Sequence, residues 1–184
     1  FCKQVKPKNI VDLSAITSIY RPGPLSAKVD KNYISAKKSP DNIKYEHKIV
    51  KEITKETYGF MIFQEQIALL AHRLGKDLSL DEGNMLRKIL TKKGSQKDKL
   101  KTKIHDKFIT GCLEKDIHAD KAQKLWDNFE YFSGYGFNKS HALSYSILSF
   151  QCAWLLNYYP SEWMAAFLDK EPEARKEKAI NIAR

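Results

Sequence analysis

The sequence predicts a mostly α-helical protein, and three observations lead to that prediction. Apolar residues recur at the three- and four-residue spacing of amphipathic helices through most of the 184 residues. Helix boundaries carry local signals, such as the capping box "SLDE" at Ser79 and the "RPGP" break at Arg21. No series of strands joined by hairpin turns and no internal repeat occurs. The hydrophobic fraction of 42% is enough to bury a core.

Three helices are predicted before Ser79. Asn9 is the expected N-cap of the first, which ends before the "RPGP" break. Residues 26–45 read as irregular and polar. A short amphipathic helix is expected from Glu46. The run "FMIFQEQIALLAHRLG" then predicts a longer helix that a glycine, Gly75, ends at its C′ position.

Five further helices are predicted from Ser79 onward. The first follows the capping box, and the second covers roughly residues 97–115 with lysines along its outer face. Asp120 is the expected N-cap of the third. Ser140 is the expected N-cap of the fourth, an apolar helix that ends at the next proline and precedes a short amphipathic one. The charged residues 171–184 predict little regular structure.

Composition narrows the class of protein. The three cysteines, Cys2, Cys112 and Cys152, are too far apart for a zinc site and odd in number for a disulfide framework. They indicate reduced thiols in a cytosolic protein. Polar residues interrupt every apolar run before about 18 residues, so we expect no membrane span.

Basic residues are concentrated in one segment. The formal net charge is +10, and nine lysines and arginines stand against two aspartates between Asn84 and Lys107. Such a segment indicates a polyanionic partner: nucleic acid, nucleotide phosphates or an anionic membrane surface. The alternative is a solvated face in which the cations of "MLRKILTKKG" complement a helix dipole.

The loop "FSGYGFNKSHALSY" at 132–145 is the most distinctive stretch. Lys139, Ser140 and His141 lie at the expected start of a helix, where backbone N–H groups and the dipole suit phosphate oxygens. Tyr145, one turn along, is placed to stack on a base or ring, and the glycines at 134 and 136 allow the backbone to come close to a ligand. The alternative is an ordinary helix–loop–helix corner, and the residues alone favour that reading.

Five stretches in order resemble the α subunit of bacterial DNA polymerase III, the C-family replicative polymerases. They are "YRPGP" at 20–24, "YGFMIFQEQ" at 58–66, "MLRKILTKKG" at 85–94, "GYGFNKSHALSY" at 134–145 and "YPSEWMAAFL" at 159–168. The resemblance runs from about residue 8 to 170. It implies that residues 1–20 end the palm, that 21–170 form a multi-helix fingers domain, and that 171–184 are a charged, truncated continuation of it.

The resemblance also implies an activity, template-dependent deoxynucleotidyl transfer in DNA replication with two Mg²⁺ ions. Asp12, nine residues before Arg21, looks like the third carboxylate of the catalytic and metal-binding set. The other two have no counterpart in these 184 residues. We therefore expect the Mg²⁺ site to be completed by carboxylates outside the chain, and the chain to be inactive without a palm-containing segment or chain.

Two sets of binding residues follow from the resemblance and the charge pattern. We expect the incoming nucleotide to be contacted by Arg87, Lys88, Lys92, Lys139, Ser140, His141 and Tyr145. We expect DNA to be contacted by Arg21, Lys93, Lys97, Lys99, Lys101 and Lys103. Lys88 stands where the family usually has a second arginine, and a lysine lacks the bidentate geometry of that residue.

The expected partners are primer–template DNA, deoxynucleoside triphosphates and the rest of the polymerase, palm and thumb, as the same or a separate chain. A sliding clamp would be reached through regions that this sequence does not contain. The expected location is the cytoplasm of a bacterial or phage-infected cell, without a membrane. The main alternative is a non-catalytic, basic, helical nucleic-acid-binding module, and a further one is a helical protein–protein adaptor.

Overall fold

The structure is a computed structural model that describes residues 1–90, 95–133, 136–173, 175–177 and 180, without the side chains of residues 95–97 and 133. The prediction of a mostly α fold is confirmed, because eleven α-helices account for most of the described residues. In chain order they are α1 (Cys2–Val5), α2 (Ile10–Ile19), α3 (Pro22–Ser26), α4 (Val29–Lys38), α5 (Lys48–Thr54), α6 (Gln64–Leu74), α7 (Leu80–Leu90), α8 (Ser95–Leu113), α9 (Ala119–Ser133), α10 (Lys139–Tyr158) and α11 (Pro160–Lys170). Two 3-10 turns lie before and after α5, at Pro40–Asn42 and Lys55–Thr57.

Contacts divide the chain into two units, Phe1–Leu143 and Ser144–Arg184, with the boundary inside α10. In the second unit, the ring of Trp154 packs against Tyr158 and Tyr159 with centroid distances of 4.9 and 5.7 Å. The division into palm and fingers at residue 20 stays a prediction. Over the described part of the chain, no helix is both long and apolar enough to cross a membrane.

The first unit has two hydrophobic cores, and α5 to α9 form the first. Leu86, Phe108 and Phe129 are completely buried in it. Helices α6 and α7 are in close contact at Gly83, where an added Cβ atom would lie 2.5 Å from the carbonyl oxygen of Ala68. A glycine at this position therefore lets α7, which carries two of the predicted nucleotide-binding residues, pack directly on α6.

The second core joins α1, α2 and α4 to the segment before α6. Ile19, Tyr33 and Phe63 are buried in it, together with Ala142 from the first turns of α10. The ring of Tyr33 packs edge-on against Tyr58, with centroids 5.4 Å apart. This core therefore fixes the start of α10 relative to α2 and to the chain that leads into α6.

The expectation that residues 26–45 are irregular is wrong for their first part, because Val29–Lys38 forms α4. Only Val29 and Tyr33 of this helix are buried, one turn apart, and both belong to the second core. An apolar stripe this narrow is a weak sequence signal. Tertiary packing of the two side chains stabilises the helix, so the local sequence pattern does not predict it.

The helix predicted over residues 60–75 begins only at Gln64. Phe63 is still extended, with φ −100° and ψ 139°, and its N–H donates to the side chain of Gln66 at 3.0 Å. Met61 packs in the first core and Ile62 in the second, and neighbouring side chains of an extended segment point in such opposite directions. Gly75 ends the helix as its C-cap with φ −71°, and the expected C′ position is wrong.

Three predicted helix starts have different outcomes. The N-cap at Asn9 is confirmed, since its side chain accepts the N–H three residues on at 2.9 Å. The capping box "SLDE" is confirmed by both of its hydrogen bonds, of 2.9 and 3.1 Å. Asp120 is not an N-cap, because α9 already begins at Ala119 and the carbonyl of His118 accepts an N–H from within the helix. Asp120 lies in the first turn, where its charge complements the dipole.

Candidate nucleotide and DNA interface

A short backbone bridge between Phe63 and Phe137 is the centre of the candidate site. The N–H of Gln64 donates to the carbonyl of Phe137, and the N–H of Phe137 donates to the carbonyl of Ile62, both at 3.0 Å. An added Cβ atom at Gly136 would lie 2.9 Å from the Gln64 side chain. The sequence predicts close approach of this glycine to a ligand, which stays a prediction; in the structure Gly136 lies against Gln64, the first residue of α6. The second glycine of the loop, at position 134, lies outside the described residues.

Glu65 connects the first turn of α6 to the first turn of α10. Its Oε2 accepts the backbone N–H of Lys139 at 2.9 Å, and its Oε1 accepts the side-chain amide of Asn138 at 2.9 Å. The carboxylate therefore lies at the positive dipole ends of two helices at once. An internal anion satisfies one of the N–H groups that the sequence suggested for phosphate.

The predicted N-cap at Ser140 is wrong, because α10 begins one residue earlier, at Lys139. Asn138 caps the helix: its Oδ1 accepts the backbone N–H of His141 at 2.8 Å and the hydroxyl of Ser140 at 2.7 Å. An amide oxygen at this position reaches the third N–H of the helix, which is the standard N-cap geometry. Ser140 thus supports the cap.

The side chain of Lys139 lies in an acidic and aromatic environment. Its Nζ forms an ion pair with Glu56, with side-chain exposures of 31% and 35%. The same ammonium lies 5.6 Å from the centroid of the Phe63 ring, within the range of a cation–π contact. Lys139 is thus half-buried and held near the bridge.

Arg87 reaches the same place from α7. Its Nη1 donates to Oε1 of Gln64 at 2.6 Å, and Gln64 directly precedes Glu65. Two predicted nucleotide-binding residues, Arg87 and Lys139, therefore contact neighbouring residues of α6. The guanidinium of Arg87 contacts Gln64, and the backbone N–H of Lys139 contacts Glu65. Arg87 lies on α7 and Lys139 begins α10, so these two contacts to α6 come from segments that α8 and α9 separate in the chain.

The other predicted nucleotide contacts are less closely assembled. Lys88 is exposed on α7, and Lys92 lies outside the described residues. His141 is exposed, with its ring 5.5 Å from that of Phe137. Tyr145 belongs to the second unit, where its side chain is 55% exposed.

Arg21, a predicted DNA contact, packs against the bridge. Its guanidinium lies 4.6 Å from the ring centroid of Phe137, and its Nε donates to the carbonyl of Ser18 at 2.8 Å. Burial lowers the pKa of Arg21 below its ordinary value. Arg21 therefore joins the end of α2 to the loop before α10.

The predicted DNA-binding lysines of α8 divide into two groups. Lys99 and Lys103 are exposed, four residues apart on one helix face, and neither has an acidic partner within the described residues. Lys101 instead forms an ion pair with Glu130 at 2.7 Å. Lys93 and the side chain of Lys97 are not among the parts of the chain that the structure describes.

Asp12 does not fit the Mg²⁺ role that the resemblance implied. Its carboxylate is 1% exposed and forms an ion pair with Lys37, while Oδ1 accepts the Tyr58 hydroxyl at 3.2 Å and Oδ2 accepts the N–H of Lys8 at 2.9 Å. A cation would meet an ammonium and hydrogen-bond donors there. No metal-binding group of three or more His, Cys, Asp or Glu residues occurs in the described part of the chain.

The Asp12 carboxylate also acts on its neighbour Tyr33. Burial raises the pKa of the Tyr33 phenol, and the charges of Asp12 and Tyr58 raise it further. The Tyr33 hydroxyl is buried and makes no hydrogen bond to the described residues. The buried carboxylate of Asp12 is therefore neutralised by the ammonium of Lys37. This ion pair lies beside Tyr58 and Tyr33 of the second core.

Sequence reasoning missed the residues that assemble the site: Glu56, Gln64, Glu65 and Asn138. The stretch "FQEQ" at 63–66 places an acid, Glu65, in the first turn of α6, and an acid in a first turn is a usable signal. Its partner could not be identified locally, because Glu65 and Lys139 are 74 residues apart.

Comparisons with known proteins agree with the resemblance. The family model described as bacterial DNA polymerase III alpha subunit finger domain matches residues 1–116. DNA polymerase III subunit alpha of Borreliella burgdorferi is 38% identical over 169 residues, which cover 92% of this chain and 14% of that protein. The same subunit of Chlamydia trachomatis is 37% identical over 166 residues, 90% of this chain and 13% of the relative. The same subunit of Aquifex aeolicus is 34% identical over 174 residues, which cover 95% of this chain and 15% of that protein. The chain thus spans 13–15% of the length of these relatives.

Proposed function

The chain belongs to the family of bacterial DNA polymerase III alpha subunits, and from that membership we propose that it is the fingers segment of such a polymerase. In this role it contacts the incoming deoxynucleoside triphosphate and the primer–template during template-dependent deoxynucleotidyl transfer. The rest of the polymerase is its partner, with any clamp contact made elsewhere in the assembly, in the cytoplasm of a bacterial cell.

The convergence of Arg87 and Lys139 at the start of α6 carries the proposal. A triphosphate bears several negative charges, and an arginine with a nearby lysine is a common way to bind it. The contacts are made by side chains, because Glu65 and Asn138 already accept the backbone N–H groups of Lys139 and His141. Lys88, exposed on the same helix as Arg87, adds charge at the rim.

The reaction step itself lies outside what this chain's residues do. Asp12 is buried and paired with Lys37, so we assign it no part in metal binding or proton transfer. The Mg²⁺ ions of the reaction are proposed to be held by carboxylates of other segments. The expected consequence is that the chain alone extends no primer until a palm-containing partner is added, and extension by the chain alone would contradict it.

Nucleotide binding tests the proposal directly. The 184-residue chain is titrated with deoxyadenosine triphosphate, and Arg87→Ala is compared with Arg73→Ala. Arg73 is a matched control because it is exposed on α6 and pairs with Glu52, away from the bridge. Loss of a bidentate arginine contact is expected to weaken binding about 10- to 100-fold. If both variants bind as the unmodified chain does, the assignment of Arg87 is wrong.

A non-catalytic DNA-binding module is the second candidate, and the exposed pair Lys99 and Lys103 favours it. A module that binds only the DNA backbone loses affinity steeply with salt and responds to neither nucleotide nor Mg²⁺. The polymerase segment is expected to bind DNA more tightly when the correct nucleotide is present. Salt-titrated binding of primer–template DNA, with and without that nucleotide, separates the two candidates.

A further inference from the structure

Glu56 is presented to Lys139 by a turn that the protein holds in place. The 3-10 turn Lys55–Thr57 carries it, and the buried hydroxyl of Thr57 donates to the carbonyl of Phe60 at 2.6 Å. That hydroxyl also accepts the side-chain amide of Gln66 at 2.8 Å. Gln66 in turn accepts the N–H of Phe63. The turn and the Phe63–Phe137 bridge are therefore parts of one hydrogen-bonded structure.

Two carboxylates act on the first residue of α10, each on a different group. Glu65 accepts the backbone N–H of Lys139, whereas Glu56 pairs with its ammonium. The Glu65 contact joins two helix ends and is a structural one. The Glu56 contact is a half-exposed ion pair, and such pairs are weak enough to exchange with another anion.

We propose that Glu56 is an internal counter-ion that competes with a polyphosphate for Lys139. The proposal rests on the proposed function, because the polyphosphate is taken to be the triphosphate of the incoming nucleotide. When the ligand is absent, Glu56 neutralises Lys139 and keeps its ammonium near the Phe63 ring. When a polyphosphate binds, Lys139 exchanges one anion for the other, while Glu65 and Asn138 keep α10 in place.

Removing the Glu56 charge tests the competition. Inorganic tripolyphosphate is the probe, its dissociation constant is measured by calorimetry at fixed ionic strength, and Glu56→Gln keeps the shape of the side chain. Loss of the competing charge and of its repulsion toward the ligand is expected to tighten binding about three- to tenfold. Glu52→Gln is the control, since Glu52 is a half-exposed carboxylate on α5 that pairs with Arg73 and not with Lys139. It is expected to leave the dissociation constant unchanged.

The effect of Glu56→Gln must act through Lys139. In a Lys139→Met background, adding Glu56→Gln is therefore expected to change tripolyphosphate binding by less than about twofold. Acylation of Lys139 by an amine-reactive ester, followed by mass spectrometry, reports the pair without any ligand. Glu56→Gln is expected to raise that acylation rate, and bound tripolyphosphate is expected to lower it.

The outcomes separate the two proposals. If tripolyphosphate binds the unmodified chain and Glu56→Gln with equal affinity, the competition is wrong and nucleotide binding stands. If neither protein binds tripolyphosphate, the proposed nucleotide site is wrong, and the competition falls with it. If Lys139 is acylated at the same rate in both proteins, the Glu56–Lys139 pair is absent in solution and the competition is overturned.

Discussion

Replacing Asp12 with asparagine is expected to destabilise the chain strongly, because it leaves the Lys37 ammonium buried without its counter-charge. The two side chains are 1% and 8% exposed. Loss of one partner from a buried ion pair costs about 3–5 kcal/mol, a large part of the roughly 5–15 kcal/mol that stabilises a typical domain. The Lys37 ammonium also contacts the hydroxyl of Tyr58 at 3.3 Å and lies 5.3 Å from the centroid of its ring, but neither contact replaces the carboxylate charge.

The measurement is urea unfolding followed by circular dichroism, arranged as a double-mutant cycle. Lys37→Met alone should cost a similar amount, since it leaves the Asp12 carboxylate buried without its counter-charge. The double variant, Asp12→Asn with Lys37→Met, should be clearly more stable than the sum of the two losses predicts. Asp41→Asn, at an exposed position in the turn before α5, is the control and should change stability by less than about 0.5 kcal/mol.

Two results would refute this reasoning. A cost below about 1 kcal/mol for Asp12→Asn, or strict additivity in the cycle, would show that the pair is not a stabilising contact. Stabilisation of the unmodified chain by Mg²⁺ that Asp12→Asn abolishes would restore the metal-ligand role implied by the resemblance.

Two further predictions concern helix starts. Asn138→Ala is expected to cost about 1 kcal/mol of unfolding free energy through loss of the α10 cap, whereas Ser140→Ala is expected to cost less than half of that. Thermal denaturation of both variants decides which residue is the cap. Equal losses of stability would contradict the assignment of Asn138. The pKa of Glu82 is lowered from its ordinary value of 4.5 by the hydrogen bond from Lys107 and next by the N–H of Ser79. Because the pKa of Glu82 is lower in the folded than in the unfolded state, its contacts stabilise the protein at pH values above the ordinary pKa. That stabilisation is lost as the pH falls through the lowered pKa of the folded state. Glu82→Gln should therefore lose about 0.5–1 kcal/mol at pH 7 and show a shallower loss of stability below pH 4.5; an unchanged acid profile would count against the contact.

The amino-acid sequence by itself determined the mostly α fold, the family and several helix starts. Asn9 and the "SLDE" capping box make their hydrogen bonds to groups three residues away, so the pattern that predicts them contains both partners. The apolar stripes of α7 and α9 are likewise predictable, because the spacing that defines each stripe lies within the helix itself. The basic segment and the loop before α10 were recognisable as candidate phosphate contacts because charge and composition are properties of the sequence alone.

Only the tertiary structure decided which charges are paired. Lys37 lies 25 residues from Asp12, and Glu56 lies 83 residues from Lys139. No local pattern relates residues at such separations, because folding alone brings them within hydrogen-bond distance. Helix α4 was missed for the same reason, since Val29 and Tyr33 stabilise it only through a core formed by distant segments. The chemistry of a cation at this interface therefore depends on long-range partners, while the presence of the cation is a property of the sequence.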